Sequence, residues 1–160
     1  MHPHIFFNNY DLSIYIDGSL TILGNLNEFL FRILSPKFSI YSLEHPDRDS
    51  LYDEITAVIL LQKEKENIGQ LLMNRYKYEH FQDNNGLVET CIMVRKHNNK
   101  ECIYLMNLWS NEIIKYSHRD QLSYNYLMWK TGIKTKYIPK NFALQYLSQE
   151  EFHLINITFK

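Results

Sequence analysis

The chain has 160 residues, enough for one domain with its own apolar core. Its 17 Lys and Arg against 18 Asp and Glu leave a formal charge of −1, which excludes a nucleic-acid binder working through a broad basic field and a strongly acidic solvating tail. Apolar residues at 45% and charged residues at 22% describe a globular domain, not a disordered chain.

Aromatic residues reach 14%, but they accompany abundant Ile, Asn and Lys and only two alanines, Ala57 and Ala143. That pattern reads as the bias of an AT-rich coding sequence and is no evidence for a sugar or base platform. Cys91 falls in an expected strand and Cys102 in an expected helix, without metal-ligand spacing, so both read as small buried hydrophobes of a reducing compartment. No apolar run is long enough to span a membrane, and Met1-His2-Pro3-His4 lacks the opening of a signal peptide. The expected address is cytoplasmic. Asn156-Ile157-Thr158 fits a glycosylation sequon, a tripeptide common by chance.

In chain order, Ser13 to Ile16 reads as a short buried strand stopped by Asp17-Gly18. Leu26, Phe29, Leu30 and Ile33 repeat at helical spacing behind an Asn25 cap, before Pro36. Phe38 to Leu43 is a second strand. Leu51, Ile55, Val58 and Ile59 mark a helix, and Ile68, Leu71, Leu72 and Tyr76 another that ends near His80. The turn Asp83-Asn84-Asn85-Gly86 precedes a third strand, Glu89 to Arg95. Ile103, Met106, Trp109 and Ile113 share one helix face, and Leu122, Tyr126 and Trp129 share the next. Lys136 to Ile138 is a short strand closed by Pro139. Strands alternating with helices predict an α/β domain with a mostly parallel sheet, whose ligands sit beyond the carboxyl ends of strands.

Four polar clusters stand near such ends, and each has a structural reading beside a chemical one. Asp17, between a strand and Gly18, suits a divalent cation and equally a tight turn. In His45-Pro46-Asp47-Arg48-Asp49, Arg48 has the fork for a phosphate or carboxylate and His45 offers an imidazole for proton transfer. The same segment also reads as a helix entry, with Ser50 as cap and Asp53 three residues on. Asn85 suits a sugar hydroxyl and Gly86 a close backbone approach, or the two form a turn. Asp120 and Gln121 open a helix, as a cap or as the lining of a sugar pocket. His80, His97 and His153 have no partner at ligand spacing, and there is no nucleophile elbow, phosphate-cradling loop or zinc-ligand array.

The order of these clusters resembles the glycosyltransferase-like family once catalogued as domain of unknown function 616, found in plant mucilage proteins and bacterial capsule polysaccharide clusters. The matching stretches are His2-Pro3-His4, Ser13 to Ser19, His45 to Asp49 with Tyr52-Asp53-Glu54, Asn84 to Glu89, and His118 to Asn125, covering roughly residues 2 to 140. The resemblance implies a partial A-type, Rossmann-like sheet with flanking helices, and transfer of a sugar from a nucleotide-sugar donor to a polysaccharide or glycan acceptor. It places Asp17 at the first metal aspartate, with Ser19 where a second would stand, and so implies manganese or magnesium. It gives Asn85, Gly86, Arg48 and His45 to substrate, and Asp120 and Gln121 to the reacting sugar. A later metal-ligating His has only His153 as a weak counterpart. Only 16 residues precede Asp17, so the base-binding half is expected to be missing from this chain or supplied by another. The sheet edge exposed by that loss predicts pairing with another copy or a partner chain. The competing readings are a non-catalytic sugar- or nucleotide-binding remnant and a metal-dependent hydrolase using His2, His4, Asp17 and His45.

Overall fold

A computed structural model describes residues 1–83 and 86–149. Asn84, Asn85, His153 and the Asn156 tripeptide lie outside the described residues. The chain runs α1 (Pro3–Phe6), β1 (Ser13–Ile16), β2 (Leu20–Ile22), α2 (Leu26–Ile33), β3 (Ile40–Glu44), α3 (Leu51–Leu60) and α4 (Glu66–Tyr78). It continues through β4 (Val88–Arg95), α5 (Lys100–Lys115), α6 (Gln121–Thr131), β5 (Lys136–Ile138), α7 (Lys140–Ala143) and β6 (Leu147–Gln149).

The α/β class holds, with a four-stranded sheet in the order β1-β4-β3-β5. The expectation of a mostly parallel sheet does not. β4 runs antiparallel to both β1 and β3, and only β3 and β5 are parallel. The reason is the parity of the connections. One helix returns the chain to the end where the previous strand began, giving a parallel strand. Two helices return it to the end where that strand finished. Two helices, α3 and α4, separate β3 from β4, and two, α5 and α6, separate β4 from β5. A single helix, α2, joins the first part of the chain to β3, and β1 accordingly runs in the direction of β3.

Each face of the sheet carries its own core. Ile40 and Met93 pack with Leu51, Ile55, Leu72, Leu105, Met106, Trp109 and Leu127 from the four central helices. On the other face, Tyr41, Ile92 and Val94 meet Phe29 and Ile33 of α2 and Ala143, Tyr146 and Leu147 of the C-terminal segment. The short sheet of β2 and β6 extends this second layer. Asn25 caps α2 as the sequence predicts, its side chain accepting from the N–H groups of Asn27 and Glu28.

An irregularity in β4 decides where the polar clusters go. Ser42 faces Met93, but the next residue, Leu43, faces Glu89, so Thr90, Cys91 and Ile92 bow out of the ladder with β3. The fully buried Ser42 hydroxyl spans the bow, 2.9 Å from the Ile92 carbonyl and 3.1 Å from that of Glu89.

Between α4, α5 and α6 an ionic network sits at the rim of the core. Burial alone raises the Glu79 carboxyl, but donation from Lys130 Nζ at 2.6 Å, the Tyr126 hydroxyl at 2.7 Å and Arg75 Nε at 3.1 Å outweighs it and holds the group at about 2. Arg75 also forks onto Glu112 at 2.6 and 2.8 Å. An unfolded Glu titrates near 4.5, so between that pH and 2 the unfolded chain binds the extra proton and stability falls with falling pH. Urea melts of Glu79→Gln are expected to lose about 1–2 kcal/mol at pH 6, after allowance for solvent screening, and to converge on the wild type by about pH 2.

Candidate active site

Asp17 and Asp120 converge on the bowed part of β4 from two directions. The Asp17 N–H donates to the Cys91 carbonyl at 2.8 Å, continuing the β1 ladder past its last residue. The hydroxyl of the adjacent residue, Thr90, donates to Asp120 Oδ1 at 3.2 Å. Tyr15 lies between them. Its hydroxyl is 3.5 Å from Asp17 Oδ2, and burial together with the charges of Asp17 and Asp120 pushes the phenol above its ordinary range.

Asp17 forms a tight turn. Its Oδ1 accepts from the Ser19 N–H at 2.9 Å, and the Ser19 N–H and hydroxyl hold the carboxyl below the usual carboxylate range. Ser19 therefore serves as a donor to Asp17. Among the described residues no three His, Cys, Asp or Glu side chains stand together as a metal cage. One carboxylate already bonded by Ser19 and Tyr15 does not fit a cation held by the protein alone. The donor set of the hydrolase reading is likewise not assembled: His2 and His4 lie edge to face at 5.7 Å, and His45 is engaged elsewhere.

Asp120 is braced from three sides. Its carboxylate accepts from the Gln121 N–H at 2.8 Å as well as from Thr90, and its carbonyl accepts from Trp109 Nε1 at 2.8 Å. Beside it the Gln121 side-chain Nε2 is buried and has no hydrogen-bond acceptor. A primary amide nitrogen has two donors, and leaving them unmet in the interior is costly.

The other expected site residues are drawn into the scaffold. His45 Nδ1 accepts from the Asp47 and Arg48 N–H groups at 3.2 and 3.1 Å, and Nε2 stands 3.4 Å from the buried Glu54 carboxylate. Arg48 Nε donates to the same Glu54 oxygen at 2.6 Å. The pair therefore fastens the loop entering α3 to that helix. Ser50 caps α3 by accepting from the Asp53 N–H, and Asp83, from 33 residues further on, adds a second cap by accepting from Ser50 Oγ and the Leu51 and Tyr52 N–H groups.

Gly86 lies at positive φ (83°), and a Cβ there would stand 2.7 Å from the Tyr137 ring. Asn125 of α6 clamps the same backbone, accepting from the Val88 N–H at 3.0 Å and donating to the Gly86 carbonyl at 2.7 Å. Gly86 and Asn125 line a separate cavity of about 500 Å3 with Phe81, Trp129 and Tyr137 under the far end of α6. Trp129 is nine residues along that helix from Asp120, about 13 Å at 1.5 Å per residue. Gly86 thus lines this cavity together with Asn125, five residues along α6 from Asp120.

Sequence reasoning missed Thr90, Tyr15 and Glu54, and also Glu89. Burial holds the Glu89 carboxyl above its usual range, opposed by His45 and Lys140. Glu54 and Glu89 stand inside the very stretches that carry the resemblance, which was the available signal. Cys91 is not a nucleophile, since burial and the charges of Glu89 and Asp17 push its thiol up to about 12.

The profile of the TOD1/MUCI70 glycosyltransferase-like domain family matches residues 1–159. The chain belongs to that family. No curated protein and no solved structure matches it. Among the described residues no helix is long and apolar enough to cross a membrane.

Two outcomes test this geometry. Gly86→Ala is expected to cost about 2–4 kcal/mol in urea unfolding, from the left-handed backbone and the contact with Tyr137 together, and Gly86→Ala with Tyr137→Ala is expected to recover only the contact's share. Manganese or magnesium added alone is expected to move the melting temperature by less than about 1 °C, because a single pre-bonded carboxylate gives weak linkage.

Proposed function

We propose that the part of β4 met by Asp17 and Asp120 binds the donor sugar of a glycosyltransferase, which passes that sugar from a nucleoside diphosphate to a hydroxyl of a glycan acceptor. The membership in a glycosyltransferase-like family supports transfer chemistry. The observation that carries the placement is the buried, unpartnered amide of Gln121 beside the braced carboxylate of Asp120.

In this reading Gln121 Nε2 donates to a hydroxyl of the donor sugar and fixes its orientation. As the bond from the anomeric carbon to the diphosphate oxygen lengthens, positive charge grows on that carbon and the ring oxygen. The Asp120 carboxylate stabilises that charge, and its fixed position means that little reorganisation is needed at the moment of reaction. The Thr90 hydroxyl and the Trp109 indole hold Asp120 in place. Tyr15 forms the wall between Asp120 and Asp17 and, with its raised pKa, stays a neutral hydrogen-bonding phenol at working pH. No step runs through a cation. The unpaired outer edge of β1, among the described residues, supports a second chain alongside it.

Asp120 also caps α6, and the two roles separate by magnitude. Asn caps about as well as Asp, so Asp120→Asn is expected to melt within about 0.5 kcal/mol of the wild type. Release of nucleoside diphosphate from a panel of nucleotide sugars, with glycan acceptors, is expected to fall by about a hundredfold or more. Gln121→Ala is expected to lose activity with no loss of melting temperature. Wild-type turnover in Asp120→Asn would leave Asp120 as a cap and remove the catalytic assignment.

A further inference from the structure

At the corner where β4 ends, opposite in direction to the Asp17 turn, Arg95, His97, His4, His2 and Ser13 each carry a buried polar atom without a hydrogen-bond partner. Arg95 is 7% exposed, yet among the described residues it pairs with no carboxylate. Its Nε is buried with no acceptor, and Nη1 reaches only the Met106 thioether at 3.7 Å. Two residues on, His97 is fully buried and its Nδ1 has no partner. His4, in the one-turn helix α1, also has a buried, unpartnered Nδ1 and feels the charges of both His2 and His97. Ser13, which faces Arg95 across the β1–β4 ladder, has a buried hydroxyl in the same condition.

Nothing nearby neutralises the guanidinium. The acidic groups that face it are Cys102, Tyr124 and Tyr15. Burial pushes all three up, the Cys102 thiol to about 11, so all are uncharged near neutrality. A buried cation without a counter-charge is among the costliest arrangements in a folded chain, and it persists where a ligand supplies the charge.

The hydrogen-bond pattern narrows the ligand. His97 Nε2 stands 2.9 Å from the Phe7 carbonyl, which can only accept, so Nε2 carries the ring proton. In the neutral imidazole Nδ1 is then an acceptor. A ligand that accepts from Arg95 Nε–H and offers a proton to that Nδ1 answers both groups. A carboxylate or a sulfate only accepts near neutrality, whereas a phosphate monoester or the terminal phosphate of a diphosphate can keep one proton when bound and then both accepts and donates. We propose that this corner is a binding site for a phosphoryl oxyanion, with Arg95 as its counter-charge and His97 and His4 as its hydrogen-bonding partners. The site stands on its own geometry and does not depend on the sugar-transfer reading.

The test is thermal melting and calorimetric titration of the whole chain with sodium pyrophosphate, inorganic phosphate, uridine diphosphate and sodium sulfate at matched ionic strength. Pyrophosphate at about ten times its dissociation constant is expected to raise the melting temperature by about 3–5 °C, and sulfate to leave it unchanged. A larger response to uridine diphosphate than to pyrophosphate assigns the site to a nucleotide's phosphates, and an equal response to the bare anion. Arg95→Met is expected to weaken pyrophosphate binding by about tenfold or more and to melt no lower than the wild type without ligand, because a buried charge has been replaced by an apolar isostere. Arg95→Lys, which keeps the charge but loses Nε–H, is expected to bind with intermediate affinity. The response is expected to survive in Asp120→Asn, so this proposal and the transfer reading fail separately. An unshifted wild type, equal stabilisation by sulfate, or full pyrophosphate binding by Arg95→Met would overturn the site.

Discussion

The strand β4 is the element on which the rest of the site depends. Thr90, Cys91 and Ile92 bow out of its ladder with β3, while its ladder with β1 stays in register through Ile92 and on to the Asp17 N–H. The Ser42 hydroxyl, fully buried between the carbonyls at the two ends of the bow, satisfies groups that have left the ladder. On the β1 side the Cys91 carbonyl accepts from the Asp17 N–H, and the Thr90 hydroxyl donates to the Asp120 carboxylate. Irregular strand segments of this kind recur beside functional sites because they re-aim side chains without breaking the sheet.

Around that strand, polar side chains fasten elements together across long sequence separations. Asn125 pairs with both the donor and the acceptor of the backbone entering β4, and so sets how α6 lies against the strand. Glu54 gathers His45 and Arg48 from the loop before its helix. Asp83 closes the start of α3 from the far side of α4. Each is a buried or half-buried polar group with its partners in place, the condition under which such groups specify one arrangement of a core.

The polar clusters divide once their partners are known. His45, Arg48, Gly86 and Asp83 look chemical in a one-dimensional reading because charge, amides and glycine concentrate in loops. Their partners, Glu54, Tyr137 and Ser50, answer most of that chemistry internally. Gln121 and Arg95 are the reverse. Gln121 stands in the His118–Asn125 stretch and Arg95 at a plain strand end, and both keep buried polar atoms unmatched. Unmet polar atoms in an otherwise satisfied interior are a sharper pointer to ligands than the residue types themselves.

The sequence alone determined the longer elements and the Asn25 and Ser50 caps, since helical and alternating periodicities and an Asn or Ser before a helix act over a few residues; the short α1, β2, α7 and β6 carry too few residues for a period and were not legible. It also held the strand directions, because the count of helices between strands decides them; the two helices before β4 and before β5 were legible, and only the assumption of simple strand–helix alternation turned them into a parallel sheet. Tertiary structure decided which polar residues are spent on the fold. Glu54 meets Arg48 from six positions away and Asp83 meets Ser50 from 33. The meeting of Asp17, Thr90 and Asp120 needs β1, β4 and α6 all in place. Hydrogen-bond satisfaction is a property of atoms within about 3 Å of one another, and a chain order does not contain that distance until the sheet has formed.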